Sequence, residues 1–130
     1  MKRILTMLAA PLLLLGAGCA ATPTQLRSEP PAEVWRAPRP APAMALCLLD
    51  GSEAAQGRVG RLTPRPEGLE VVVQADSGPL GPLGPIIYFL VEDLGAEGSR
   101  TKANGTYWGQ MRQARKIAEA CAAATTNAQR

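Results

Sequence analysis

The 130-residue chain contains no histidine. That absence removes the commonest general base, the Ser-His and Cys-His nucleophile pairs and most catalytic zinc sites. One Phe, two Tyr and two Trp are too few to line a deep aromatic ligand pocket. Ser52, Ser77 and Ser99 have no histidine to activate them, and none sits in a Gly-x-Ser-x-Gly elbow. Neither a phosphate-cradling loop nor a dinucleotide fingerprint occurs. Glu92 and Asp93 are adjacent, so in a strand they point to opposite faces and cannot converge on one substrate. Lys102 and Lys116 fall on expected wet faces, where an amine stays protonated. The expectation is a non-enzymatic protein with no catalytic residue, no metal ligand and no cofactor.

Long hydrophobic runs are also missing. Ile4 to Leu15 spans about 12 residues and Ile86 to Val91 only six, where a membrane-crossing helix needs about 20. Charge of one sign is not concentrated either. Of the 14 basic side chains, Lys2 and Arg3 lie at the N-terminus, leaving 12 against 11 acidic ones. Arg27, Arg36, Arg39, Arg58, Arg61, Arg65 and Arg100 are dispersed among Pro, Gly and acids, so no basic stripe announces a nucleic-acid partner.

What is present begins with residues 1–18, which read as a secretory signal. Lys2 and Arg3 supply the positive region, Ile4 to Leu15 the apolar region, and Gly16, Ala17 and Gly18 the small residues before a cut. Leu15-Gly16-Ala17-Gly18-Cys19 resembles a bacterial lipobox, with Gly16 where the family pattern most often has Leu. The resemblance implies cleavage before Cys19 and a thioether-linked diacylglycerol on its sulfur, completed by a palmitate-type acyl chain. Two or three acyl chains at about 0.8 kcal/mol per buried CH2 make an effectively permanent anchor. Ala20 in place of Asp after the cysteine implies the outer membrane, facing the periplasm. The alternative is an ordinary signal cut after Ala21, which would leave no lipid.

Residues 19–43 carry six prolines and read as a lipidated cysteine followed by a tether. In polyproline II at about 3.1 Å per residue it would reach roughly 70 Å from the membrane. The Arg36 to Pro42 stretch is also a candidate for docking on an aromatic groove or on peptidoglycan, with Trp35 as a local anchor.

Residues 44–124 read as a small α+β domain, an antiparallel sheet of three or four strands flanked by a short N-terminal helix and a longer C-terminal one. Met44, Cys47 and Leu48 make a short helical stripe stopped by Asp50-Gly51. Arg58 to Thr63 and Gly68 to Ala75 form a hairpin about a Pro-rich turn, with Leu69, Val71 and Val73 on one face and Glu70, Val72 and Gln74 on the other. Ile86 to Val91 is the expected central strand and Arg100 to Thr106 an edge strand guarded by Arg100 and Lys102. Tyr107, Met111, Ala114, Ala118 and Cys121 mark one face of the last helix, and residues 125–130 are expected to be loose.

With Cys19 assigned to lipid, Cys47 and Cys121 remain as an even number in an oxidising compartment. Each lies on the apolar face of an expected helix, and a bridge between them is the favoured reading over a free thiol or a metal pair. The Gly78 to Pro85 segment repeats Gly-Pro-Leu; it reads as a stiff loop feeding the central strand, or as a partner-binding patch through Leu80 and Leu83. In general format the chain is similar to pilotin lipoproteins, although no motif aligns. The functional expectation is a lipid-anchored accessory or scaffolding protein binding another envelope protein. The alternative is an inhibitor lipoprotein that blocks a hydrolase with the Gly78 to Pro85 loop.

Overall fold

Three consecutive β-branched residues, Val71 to Val73, occupy the middle of strand β3 (Gly68–Asp76), where branched Cβ atoms pack well on a pleated surface. The computed structural model containing this strand describes residues 22–54, 58–76, 78–80, 82–106 and 108–124, with backbone alone at 80, 82–86 and 108. Strand β2 (Arg58–Arg65) pairs antiparallel with β3 from Arg58↔Ala75 to Arg65↔Gly68. The turn between them is Pro66-Glu67, where proline presets φ. This is the hairpin the sequence leads one to expect.

Strand β4 (Pro82–Asp93) returns along β3, and β5 (Ser99–Gly105) returns along β4. A fifth strand, β1 (Glu33–Ala37), then pairs with the free side of β5. The sheet is antiparallel throughout, in the order β1-β5-β4-β3-β2. Ile86 to Val91 therefore lies in the central strand, as its apolar run suggests. Gly98 turns the chain from β4 into β5 at φ +94, and a Cβ there would meet the Ala37 carbonyl oxygen at 2.1 Å. Only glycine suits both the backbone conformation and the close approach.

Helices α2 (Ala41–Glu53) and α3 (Trp108–Ala123) cover one face of this sheet. Met44, Ala45 and Leu48 of α2 and Ala114, Ala118 and Cys121 of α3 close over Val71, Val73, Ile87, Phe89, Val91 and Ala103. On the opposite face a short helix, α1 (Pro23–Ser28), lays Leu26 against Val72 and Tyr88, with Leu90 alongside. No helix among the described residues is long and apolar enough to cross a membrane.

Several expectations are corrected by this architecture. The α+β class holds, but among the described residues the sheet has five strands and is flanked by three α-helices. Strand β5 is not an edge: β1 covers it, so Arg100 and Lys102 face one surface of a paired strand. Helix α2 runs through Asp50-Gly51 to Glu53, because packing on the sheet offsets the modest helix penalty of one glycine. The largest correction concerns the tether, since residues 23–28 are helical and 33–37 form β1.

The reason is local capping followed by specific anchoring. The Thr22 hydroxyl accepts a hydrogen bond from the Gln25 N–H, and the Gln25 side chain accepts one from the Thr22 N–H. That reciprocal capping box, with Pro23 in the first turn, starts a helix despite the proline content. Asn104, buried in β5, then ties the segment down: its Nδ2 donates to the carbonyls of Leu26 and Glu29, and its Oδ1 accepts from the Ala32 N–H. Trp35, partly buried, packs against the helix-side core.

Candidate functional site

Cys47 and Cys121 are joined by a disulfide across a Cα–Cα distance of 5.8 Å. It closes a loop with a sequence separation of 74 residues, which stabilises the fold by about 4.5 kcal/mol in the chain-entropy account. The bridge and the approach of Ile117 to Gly51 make α2 and α3 antiparallel neighbours. A Cβ on Gly51 would sit 2.8 Å from Ile117 Cγ2, so the missing side chain allows the two helices to close there.

Outward of this seam the helices diverge to leave an open groove of about 830 Å3. Ala43, Leu46, Cys47, Asp50 and Gly51 line one wall, and Gln113, Lys116, Ile117, Ala120 and Cys121 the other. Both walls are stripes at i, i+3, i+4, i+7 and i+8, one face of a helix each. Small residues keep the floor shallow, while Leu46 stands on the rim 54% exposed. Arg39 donates to the Cys121 carbonyl at 3.1 Å, and Arg58 donates to the Gln113 side chain. The groove can thus take an apolar surface between charged margins; it presents no arrangement of nucleophile and base.

The other surface of the sheet is chemically different. Glu70, whose side chain is 3% exposed, receives Arg27 Nε at 2.8 Å, Arg65 at 3.2 Å and the Tyr88 hydroxyl at 3.2 Å. Burial alone would push the Glu70 carboxyl up, but the hydrogen bonds and charges of Arg27 and Arg65 outweigh it and hold it below its ordinary value. Burial and the adjacent Glu70 charge push the Tyr88 phenol up to about 12. Glu92 forms a second centre with Arg100 and Lys102. Its burial, which raises the pKa, is again overcome by those two cations, leaving it below the carboxylate norm. Glu92 is therefore half-buried and paired.

Of the residues singled out by sequence, Cys47 and Cys121 come together, while Leu80 and Leu83 do not form a described patch. Gly78–Leu80 is a single turn of 3-10 helix, and from Pro82 the segment is already strand, with Leu83 opposite Ala75. The segment is thus only partly loop, and the Leu80 and Leu83 side chains lie outside the described residues. Cys19 also lies outside them. Sequence reasoning misses Leu46, Ile117 and Ala120 of the groove and the Glu70 centre. The two helical stripes are the signal for the first. For the second the signal is weak, because Glu70 alternates with valines as a solvent-facing residue would. No protein-family model, curated protein or solved structure matches this chain.

Proposed function

We propose that this protein is a lipid-anchored cell-envelope lipoprotein, attached through Cys19, whose non-enzymatic task is to hold another envelope protein. The observation that carries the binding half of this reading is the groove over the Cys47–Cys121 bridge. Two antiparallel helices with small side chains leave a channel into which a third, amphipathic segment fits, the helix-in-groove mode of recognition. Arg39 and Lys116 stand at its margins against the single carboxylate of Asp50. The occupant is therefore an apolar segment of an envelope protein flanked by acidic residues, with Leu46 as the protruding contact. The lipid half rests on the Leu15 to Cys19 resemblance, and the expected location is the periplasmic face of the outer membrane.

Site-specific photocrosslinking in intact cells tests the binding half. A photoreactive residue at position 46 is expected to capture an envelope protein, the same residue at Val59 is not, and Ala120→Glu is expected to abolish capture without lowering the melting temperature. Equal capture from positions 46 and 59, indifference to Ala120→Glu, or capture of a foreign hydrolase through the Gly78 to Pro85 segment contradicts it.

A further inference from the structure

The arginines that are scattered in sequence converge in space, because alternate residues of every strand share one face. Arg36 lies opposite Arg100, Val34 opposite Lys102, and Arg61 opposite Val72, all on the surface of the sheet away from α2 and α3. With Arg27 of α1 and Arg65 at the end of β2, this side carries six cations. The carboxylates on this side are Glu70, Glu92 and Asp76 on the sheet and Glu29 at the end of α1. Glu70 and Glu92 each take two cations, and Arg36 and Arg61 make no ion pair among the described residues. Two of the exposed large hydrophobic residues, Val34 at 49% and Val59 at 38%, sit on the same face at opposite edges of the sheet.

The first described residues also lie on this side. Pro23 lies beside Arg61, Arg65 and Glu70 in a small surface pocket, and Thr22 caps the helix that starts there. Only Ala20 and Ala21 lie between Cys19 and Thr22, so three steps of extended chain hold the two no more than about 11 Å apart. A thioether-linked lipid on Cys19 therefore keeps this face, and not the α2–α3 groove, close to the bilayer.

We propose that the α1-bearing face of the sheet is a membrane-apposed surface that binds anionic phospholipid headgroups. Arg36 and Arg61 supply the unpaired charge, and Val34 and Val59 reach the interfacial zone at either edge. The groove is then presented on the far side of the sheet, where a partner can reach it. The orientation rests on the lipid-anchor reading; the headgroup affinity does not, and the two are separable by experiment.

The test uses the chain from Ala20 onward, which includes every described element of the fold and carries no acyl group. Cosedimentation with vesicles of pure phosphatidylcholine is compared with vesicles containing one third phosphatidylglycerol, at low and high salt. Binding is expected to the anionic vesicles only and to weaken as salt rises. Arg36→Gln together with Arg61→Gln is expected to reduce partitioning by about 25-fold, about fivefold for each arginine, with an unchanged melting temperature. Equal binding to both vesicles, no binding to either, or no change in the double variant overturns the proposal. So does tighter binding, at the same salt, to a duplex oligonucleotide than to the anionic vesicles. The mass of the mature N-terminus from cells reports lipidation separately, so failure of one result leaves the other standing.

Discussion

The two faces of the sheet are built from alternate residues of the same strands, yet they are stabilised by different physics. On the helix side Val71, Val73, Ile87, Phe89 and Val91 vanish under α2 and α3, and apolar burial with a disulfide closes the layer. On the other side Glu70, Val72, Tyr88, Leu90 and Glu92 meet a six-residue helix and a set of arginines. There, small apolar contacts are supplemented by the buried Glu70, the half-buried Glu92 and the Asn104 clamp. The lesson is that a strand pattern determines which residues share a face, whereas what covers that face determines whether a charged residue on it is wet.

The comparison breaks most severely on the helix side. Phe89→Ala, at a fully buried site, is expected to cost about 4 kcal/mol in denaturant unfolding. Replacing both Cys47 and Cys121 by Ala should cost about 3 kcal/mol, below the chain-entropy figure because the reduced denatured chain retains structure, with the native fold kept if the apolar layer suffices. On the α1 side Asn104→Ala removes the donor to the Leu26 and Glu29 carbonyls, while the Ala32 amide keeps its bond to the Ala103 carbonyl, an expected loss of about 2 kcal/mol. Hydrogen exchange should then rise over residues 22–32 ahead of the sheet.

Glu70→Gln sharpens the contrast through pH. Glu70 and Glu92 are held below the ordinary carboxylate value, so the stability they contribute is fully present above about pH 4.5. It is lost as pH falls through their folded-state values. The Gln variant is expected to be about 1 kcal/mol less stable at neutral pH and to show a shallower acid slope. In a Tyr107→Phe background, phenolate absorbance should place Tyr88 near 12 in the native chain and lower once the Glu70 charge is gone. The smallest effect is expected at the exposed Arg115–Glu33 pair, where Arg115→Gln should leave the melting temperature unchanged because solvent and salt screen the pair.

Much of the helix-side layer is legible from sequence. Val71 to Val73, the Ile86 to Val91 run and the Met111, Ala114, Ala118, Cys121 periodicity each point to an element that is present, and Cys47 and Cys121 each fall on the apolar face of an expected helix. The α1-bearing face is harder to read. Composition makes residues 19–43 look like a tether, because six prolines outweigh five residues of strand. The counter-signal was Thr22-Pro23-Thr24-Gln25, a capping box with proline in the first turn, followed by alternating Glu33 to Ala37. Glu70 resembles a solvent-facing residue because its burial depends on α1 and on Arg27, 43 positions away. The same non-local pairing gathers arginines that look scattered along the chain. For the groove, Ala43, Gly51 and Ala120 are too small to stand out as a binding stripe until α2 and α3 are side by side.

The most direct test of the two-faced account follows from the cysteines. In a chain made without lipid, Cys19 is the one thiol outside the Cys47–Cys121 bridge and accepts a nitroxide label selectively. The account predicts strong paramagnetic broadening of amides around Arg61, Arg65 and Glu70, and none at Leu46 or Lys116. Broadening spread evenly over both faces, or random-coil hydrogen exchange through residues 22–32, would contradict it and return this segment to the status of a tether.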